Sequence, residues 1–356
     1  MRQIILRPQK SCRAGVTWLD VIVFGGLVAM GLLGLGIWVL QSQMSSGSGG
    51  RSWRRSQCKN NLKQWGLALH NYHDTHRCFP PYAGGTSENG ERLSGRAMLL
   101  PFLEMDPAWQ QIAAAPGQGG DPMSLKLTFP YSPEPEVFLC PSSAVPGMID
   151  GQSHSSYAFS VGDQIDFGEG VGDFPNQMKT RGAFGWRHCT RVKDFFDGTS
   201  NTVLMGEREL GNPSNKRDII GRVARVTATS PADCLATAAD GQYLAKIGLL
   251  NELMSERWAS GHPFYSVFTT AIRPNGPSCA ASTPPSGKSV GGWFTASSRH
   301  TGGVHVLMGD GTVRFINENI HVGDSNATQP QADGKSSYGI WGAIGTISGG
   351  EAVSDF

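Results

Sequence analysis

The sequence predicts an α+β protein, in which an N-terminal transmembrane helix is followed by an exported, β-rich domain packed on an amphipathic helix. Three features of the 356 residues lead to this prediction. Residues 21–40 are apolar and uncharged, and residues 56–72 carry apolar side chains at helical spacing. Glycine occurs 47 times and proline 21 times, whereas charged residues make up only 17%, which favours a loop-rich, β-leaning domain over a helical bundle.

The overall charge argues against a nucleic-acid partner. The formal net charge is +1 at pH 7. A chain so close to neutrality sets up no general field that would attract nucleic acid or an acidic substrate.

The apolar run predicts a single-pass membrane anchor within residues 16–44. Twenty residues in a helix rise about 30 Å, which matches the hydrocarbon core of a bilayer. The run is longer than the apolar region of a secretory signal peptide, and no clear A-x-A cleavage site follows it. Basic residues flank the run on both sides, so charge alone leaves its orientation open.

The first 20 residues resemble the leader of type IV prepilins. In this resemblance residues 1–15 form a basic leader that ends at Gly15, Val16 begins the mature chain, and Asp20 falls at mature position five. The resemblance implies cleavage by prepilin peptidase and pairing of Asp20 with a neighbouring pseudopilin-like subunit. It also implies an inner-membrane protein whose C-terminal domain lies on the periplasmic side. Val16 and Asp20 depart from the pattern, in which Phe and Glu are usual.

A linker and then an amphipathic helix are expected after the anchor. Residues 45–53 are rich in Ser and Gly, and each Gly weakens a helix by about 1 kcal/mol relative to Ala, so we expect a break there. Ser56 is the expected N-cap, and the prolines of "CFPP" prevent continuation beyond residue 78. The helix should pack on the exported domain, residues 54–356, through Leu62, Trp65, Leu69 and Tyr72.

Six stretches of distinctive sequence occur in a fixed order along the chain: RRSQCKNNLKQWGLALHNYHDTHRCFPP at 54–81, FLCPSS at 138–143, SSYAFSVGD at 155–163, DGTSNTVLMGE at 197–207, RPNGPSC at 273–279 and SSRHTGGVHVLMGDGTVRFI at 297–316. Together they resemble the DUF1559 family, which is abundant in planctomycete-type bacteria. The resemblance implies a prepilin-like N-terminus and a large exported domain. Members are described as pseudopilin-like, sometimes as transporters, and an old label links them to solute binding.

The last of these stretches contains the family's His-x9-Asp-Gly signature, which we interpret as structural. With Asp310 and Gly311 as the two central residues of a type I′ turn, the flanking residues form a hairpin. Period-two alternation then places one apolar face toward the core. His300 precedes the first strand and Asp310 lies at its far tip, about 20 Å away, so we expect His300 to make a local hydrogen bond instead. The predicted apolar face consists of Val304, Val306, Met308, Val313 and Phe315.

The cysteines predict disulfides rather than a metal ribbon. Seven are present, and Cys12 falls in the leader. Six scattered cysteines without a C-x-x-C pair, behind an export signal, are typical of an oxidising compartment. We expect at least two disulfides and favour Cys58 with Cys78, the alternative being six buried free thiols. The candidates are Cys58, Cys78, Cys140, Cys189, Cys234 and Cys279.

Two weaker hypotheses of a metal site also follow from the sequence. His70 and His73 are three residues apart on the predicted helix and could ligate zinc, although a polar helix end is the simpler interpretation. A loop dense in carboxylates could hold calcium, although it is no EF-hand. Its carboxylates are Asp163, Asp166, Glu169 and Asp173. Otherwise no cofactor is expected.

Two functional classes follow. The first is a non-enzymatic, membrane-anchored, pseudopilin-like envelope protein with a role in assembly or transport across the envelope. The second is an envelope-tethered solute- or glycan-binding protein, for which exposed tryptophans would form the groove. An enzyme is not expected, since no nucleophile, base and orienting group can be named together.

Overall fold

The structure is a computed structural model that describes residues 48–85, 93–113, 135–143, 153–165, 178–281, 291–330, 334–351, 353 and 356. Gly15, Val16, Asp20 and the apolar run lie outside these ranges. The chain divides into two compact units, Met1–Trp53 and Arg54–Phe356. Among the described helices, none is both long enough and apolar enough to cross a membrane.

The described residues form an α+β fold, as predicted. The α-helices are α1 Ser48–His76, α2 Gly95–Met98, α3 Asp106–Ala113, α4 Pro231–Leu235, α5 Pro263–Ser266 and α6 Gly339–Gly345. Short 3-10 helices span Leu100–Leu103, Glu136–Phe138, Val192–Asp194 and Thr199–Asn201. The strands are β1 Ala83–Gly84, β2 Leu93–Ser94, β3 Tyr157–Ser160, β4 Val203–Glu207, β5 Val223–Arg225, β6 Ala238–Ala239, β7 Gln242–Tyr243, β8 Val267–Phe268, β9 Ser278–Ala280, β10 Gly292–Trp293, β11 Gly303–Met308 and β12 Val313–Asn317.

Helix α1 carries the predicted apolar stripe into the core. Leu62, Trp65 and Leu69 are fully buried, and Tyr72 packs against the same cluster. The helix ends at His76, where Arg77 adopts a left-handed conformation just before the two prolines, as expected.

The predicted start of α1 is wrong. The helix begins at Ser48 rather than near Ser56, so the expected break across residues 45–53 does not occur over its last six residues. A glycine penalty of about 1 kcal/mol is small once a helix is nucleated and packed, because each further residue then adds a hydrogen bond without a new nucleation cost.

A five-stranded sheet in the order β12–β11–β4–β3–β8 lies between α1 and α6. Its pairs are antiparallel except for β3 with β8. Phe159, Met205 and Leu307 lie side by side across three strands and pack in the core cluster that contains the α1 stripe. The opposite face packs on Trp341 and Ile344 of α6. Both faces are buried, which explains why β11 is buried along its whole length.

A second sheet, in the order β10–β9–β5, has its own apolar cluster. Strand β9 pairs antiparallel with β10 and parallel with β5. Two small antiparallel pairs, β1 with β2 and β6 with β7, complete the described strands.

The predicted hairpin exists, but its register differs by one residue. Leu307, not Met308, lies opposite Val313, because the loop has three residues, 309–311, rather than two. The amide of Met308 donates to the carbonyl of Thr312, and only Gly311 in this loop has positive φ, at 82°. This is the three-residue loop with a left-handed glycine, not a type I′ turn.

The one-residue shift changes the face that β12 presents. Val304, Val306 and Met308 share the α6 face as predicted, and Ile316 joins them there. Val313 packs instead in the cluster of the α1 face, and Phe315 lies opposite His305, on that same side of the sheet. A register change of one residue turns every side chain of a strand to the other face.

The described residues contain two disulfides, which confirms the prediction of at least two. They join Cys58 to Cys140 and Cys234 to Cys279. The favoured pairing of Cys58 with Cys78 is wrong, because Cys78 lies on the return segment beside Cys189, with the Phe79 amide donating to the Thr190 carbonyl. Cys78 and Cys189 are free thiols. Burial and a hydrogen bond with Cys78 raise the pKa of the Cys189 thiol to about 12.

Substitution at the hairpin tip separates a conformational requirement from a chemical one. We expect Gly311→Val to lower the free energy of unfolding by about 1–3 kcal/mol, because it forces a branched residue to positive φ. Asp310→Asn should change it little, because the amide oxygen can still accept from the Thr312 backbone and hydroxyl, which now lie 2.9 and 2.7 Å from the carboxylate. Urea unfolding of the two variants beside the unmodified protein measures both effects. Equal losses for the two variants would contradict this account.

Disulfide connectivity can be checked directly. Peptide mapping of the protein without reduction should recover the Cys58 peptide joined to that of Cys140, and the Cys234 peptide joined to that of Cys279. Cys78 and Cys189 should be alkylated after denaturation. A peptide in which Cys58 is joined to Cys78 would contradict the structure.

Candidate functional site

The candidate site is built around the carboxylate of Glu207 at the end of β4. Side chains alternate along a strand, so Glu207 lies on the same face as Met205, the face that packs on α1. Tyr157 on β3 is its direct partner in register, and His305 on β11 occupies the corresponding position on the other side. The carboxylate therefore lies between Tyr157 of β3 and His305 of β11, beneath α1.

The Glu207 carboxylate is only 1% exposed and is held by two histidines. Nε2 of His300 lies 2.9 Å from Oε1. The backbone amide of His305 donates to Oε2 at 2.7 Å, and Nδ1 of His305 lies 3.3 Å from both oxygens. A buried carboxylate is costly unless its charge and lone pairs are satisfied, and these contacts satisfy them.

A tight loop before β11 directs His300 toward Glu207. The Ser298 hydroxyl donates to the Gly303 carbonyl at 2.7 Å and accepts from the His300 amide at 3.0 Å. Gly303 permits this fold, because a Cβ atom there would lie 1.9 Å from the Ile316 carbonyl oxygen. The sequence Ser-Ser-Arg-His-Thr-Gly-Gly thus encodes a loop that turns the imidazole inward.

The two ends of the His-x9-Asp-Gly signature have different hydrogen-bond partners. Asp310 caps the hairpin loop through Thr312, and among the described residues no hydrogen bond joins it to His300. The backbone amide of His300 donates locally to the Ser298 hydroxyl. Its ring bonds to Glu207, 93 residues away, a contact that the sequence analysis missed because nothing in the local pattern indicates it.

The Cys58–Cys140 disulfide closes the site from above. Sγ of Cys140 lies 3.6 Å from Nε2 of His300 and 3.7 Å from Oε1 of Glu207. Cys58 is on α1, and its carbonyl accepts from the Tyr157 hydroxyl at 3.4 Å. A carboxylate, an imidazole and two sulfur atoms therefore meet in one buried volume, with all four ligand-type atoms within 4.8 Å of one another.

The segment that carries Cys140 is fixed to α1 by side chains. The Asn61 amide donates to the carbonyls of Glu136 and Leu139, both at 2.8 Å, and the Trp65 indole donates to the Val137 carbonyl at 3.0 Å. These three bonds satisfy carbonyls of a short 3-10 helix and its following turn. They hold Cys140 over the sheet independently of the disulfide.

Burial and hydrogen bonding act in opposite directions on Glu207. Burial raises the pKa of its carboxyl, but the hydrogen bonds from His300 and His305 outweigh burial, so the pKa is lowered and the group is ionised. Burial, together with the charge of Glu207, raises the pKa of Tyr157 well above its ordinary value. The site combines an ionised carboxylate with a neutral phenol. Because the site is buried, it is better suited to binding a metal ion or a proton than to contact with a substrate.

Two fully buried arginines lie near this site and were not anticipated. Arg96 donates to the carbonyls of Tyr157 and Tyr265, both at 3.0 Å. Arg208, next to Glu207 in the chain, donates to the carbonyls of Phe264 and Val267. Burial lowers the pKa of Arg96 to about 9, which leaves it charged at neutral pH. Arg208 satisfies backbone carbonyls where α5 meets β8, whereas Arg96 joins α5 to β3.

The metal candidates named from the sequence fall only partly within the described residues. Burial, and then the charge of His73, lower the pKa of His70, and its ring packs on Phe79. In the part of the chain that the structure describes, neither histidine belongs to a group of three or more potential ligands. Asp163 is paired with Arg181 at 2.6 Å. The remaining calcium candidates, Asp166, Glu169 and Asp173, lie outside the described residues.

The tryptophans suggested for a binding groove lie in the interior. Each is 7% exposed or less, so none forms an open aromatic surface. They pack in all three core clusters. The residues concerned are Trp186, Trp258, Trp293 and Trp341.

The ionised carboxylate should contribute to stability in a pH-dependent way. We expect Glu207→Gln to lower the free energy of unfolding at pH 7 by about 1.5–3 kcal/mol, the range for hydrogen bonds to a charged group. The folded-state pKa of Glu207 is below its ordinary value, so this contribution is complete above about pH 4.3 and is lost as the pH falls through the folded-state pKa. The difference between the two proteins should therefore narrow in acid.

Urea unfolding at a series of pH values measures this difference. Glu104→Gln is the matched control, because Glu104 is exposed and the same chemical change there should have little effect at any pH. A Glu207→Gln difference that widens on acidification would refute the assignment.

Comparison with known proteins bears on the whole arrangement. Searches among curated proteins and among solved structures found no match. The family model described as "Protein of unknown function (DUF1559)" matches residues 51–323. This range includes Cys58, Cys140, Glu207 and His300, as well as Asp310 at the hairpin tip. With a match over most of its length, the chain belongs to the DUF1559 family.

Proposed function

We propose that the protein is a non-enzymatic, membrane-anchored, pseudopilin-like envelope protein with a role in assembly or transport across the cell envelope. The observation that carries this proposal is helix α1. It is the first described element after the apolar run, and its buried stripe forms part of the main core. A helix that leaves an anchor and serves as the core of a β-rich head suits a pseudopilin-like subunit.

The outward face of α1 supports a role in assembly. Leu67 is 67% exposed in the middle of this helix, between the buried residues Trp65 and Leu69. A large apolar side chain on the free side of the helix favours packing against another helix, as subunits joined through their N-terminal helices require.

The disulfides support the proposed periplasmic side of the inner membrane. Disulfides persist in oxidising compartments and are rare in the reducing cytoplasm. Two are present within the exported domain, and each closes a long loop, with sequence separations of 82 and 45 residues.

We propose that the protein is not an enzyme because of the geometry of the Glu207 site. The one place where the described residues combine a carboxylate, an imidazole and sulfur is less than 10% exposed at each side chain and lies beneath a disulfide. A substrate would have to displace packed core to reach it. The solute- or glycan-binding alternative has no comparable support, because the tryptophans that would line its groove are buried.

Processing of the leader tests the proposal. In cells with an active prepilin peptidase, the mature chain should begin at Val16, carry a methylated amine and remain in the membrane fraction. Gly15→Val should retain the leader, whereas Gly25→Val, the same change inside the apolar run, should not. Intact mass and N-terminal sequencing report the outcome. A mature chain that still begins at Met1, or a head recovered only in the soluble fraction, would overturn the proposal.

Assembly is tested separately by Asp20→Asn. This variant should be cleaved normally but should lose crosslinks between copies that are formed by a photoreactive residue at position 67. Crosslinks of undiminished yield would count against a role for Asp20 in assembly.

A further inference from the structure

We propose that Cys58, Cys140, Glu207 and His300 form a zinc site when the disulfide between the two cysteines is reduced. Thiolate sulfur, imidazole nitrogen and carboxylate oxygen are the ligands that zinc takes in proteins, four at a time in structural sites. Here two sulfurs, one imidazole nitrogen and one carboxylate oxygen lie within 4.8 Å of one another, and all four residues are buried. The inference does not depend on the proposed envelope function.

The two distances from the Cys140 sulfur to the nitrogen and oxygen ligands agree with a tetrahedral site. With zinc–sulfur bonds of about 2.3 Å and zinc–nitrogen or zinc–oxygen bonds of about 2.0 Å, adjacent ligand atoms lie about 3.3–3.8 Å apart. Cys140 Sγ lies 3.6 Å from His300 Nε2 and 3.7 Å from Glu207 Oε1. His300 Nε2 and Glu207 Oε1, at 2.9 Å, have to separate by less than half an ångström.

The main movement required is separation of the two sulfur atoms. After reduction they no longer share a bond and have to lie about 3.8 Å apart around the metal. Cys140 lies on a short turn after the 3-10 helix Glu136–Phe138, its sulfur is already at ligand distances from His300 and Glu207, and the Asn61 and Trp65 bonds hold the backbone of this segment. A rotation of the Cys58 side chain on α1 is therefore the change that separates the two sulfurs and keeps these distances.

Outer contacts already orient the nitrogen and oxygen ligands. His305 bonds to Glu207 through its amide and its ring, and Ser298 holds the His300 backbone. Such second contacts fix ligand orientation in zinc proteins, and their loss typically lowers metal affinity 10–100-fold. A carboxylate and an imidazole held in this way beside two sulfurs form a ligand set that needs little rearrangement.

Reduction of the Cys58–Cys140 disulfide requires a two-electron reductant, and a dithiol can serve. The dithiol transfers two electrons and two protons to the Cys58–Cys140 bond, which gives two thiols, while the reductant becomes a disulfide. Zinc then replaces the two thiol protons, which are released to solvent, because the metal ligands are thiolates. A disulfide oxidant reverses the sequence: it accepts two electrons from the two thiolates and two protons from solvent to become a dithiol, the Cys58–Cys140 bond forms again, and the ion is released.

The second disulfide offers a matched control within the same chain. Among the described contacts, the Cys234 sulfur contacts the Pro277 carbonyl and the Cys279 sulfur contacts the Thr237 hydroxyl. Neither residue belongs to a group of potential metal ligands in the described part of the chain. Reduction there should yield two thiols without a zinc site.

The test measures zinc in the full-length protein, purified in detergent after reduction and exposure to zinc chloride alone. We expect one zinc per reduced chain, none per oxidised chain, and no loss in Cys234→Ser/Cys279→Ser. Cys58→Ser/Cys140→Ser should abolish binding, and His305→Gln should weaken it 10–100-fold. Retention of one zinc by Cys58→Ser/Cys140→Ser, or its loss in Cys78→Ser/Cys189→Ser, would overturn the proposal.

A measurement on the unmodified protein covers the case in which a variant fails to fold. Zinc should slow alkylation of Cys58 and Cys140 in the reduced chain and leave that of Cys234 and Cys279 unchanged. Cobalt in place of zinc should give a thiolate-to-metal charge-transfer band of a four-coordinate site. Equal alkylation of all four cysteines with and without zinc would overturn the proposal without any substitution.

Discussion

The hydrogen bonds between Glu207 and its two histidines are the constraint on which the arrangement of the described domain depends. An ionised carboxylate at 1% exposure is tolerated only with partners, and these come from the loop before β11 and from β11 itself. Satisfying that charge fixes how the loop folds and where β11 pairs with β4. The same carboxylate lies against Cys140, so the segment that joins α1 to the sheet is positioned relative to it.

Much of the fold was accessible from the sequence because it depends on local pattern. Spacing of three and four residues identified the stripe of α1, and the prolines identified its end. The start of α1 was not predictable, because glycines only weaken a helix, and a helix that is nucleated further along the chain can extend through them. The hairpin was recognised from its Asp-Gly pair, but its register depends on whether the loop has two residues or three, and both choices bury one apolar face.

The sequence shows the residues of the site only as parts of separate stretches. Cys58, Cys140, Glu207 and His300 come from four of the stretches on which the family resemblance rests, yet no pattern in the sequence says that these stretches meet. Their meeting follows from strand order, in which β4 lies between β3 and β11, and from the turn that places Cys140 against α1. The pairing of Cys58 with Cys78 was favoured because a helix followed by a proline-bounded return could bring the two close, but the segment that follows α1 pairs with the chain at Thr190 and places Cys78 beside Cys189 instead.

The Cys58–Cys140 bond also determines how a mechanical load would travel through this chain. A pull on the N-terminal end of α1 reaches Cys58 and passes covalently to Cys140, at a Cα–Cα separation of 5.0 Å. The chain between the two cysteines, with a sequence separation of 82 and an extended length of about 270–290 Å, is excluded from the covalent path of the force. Tension would therefore bypass this part of the chain and act on the sheet. If the bond were cut and the intervening structure unfolded, the tether would become more than ten times longer than the folded distance, without the removal of any residue.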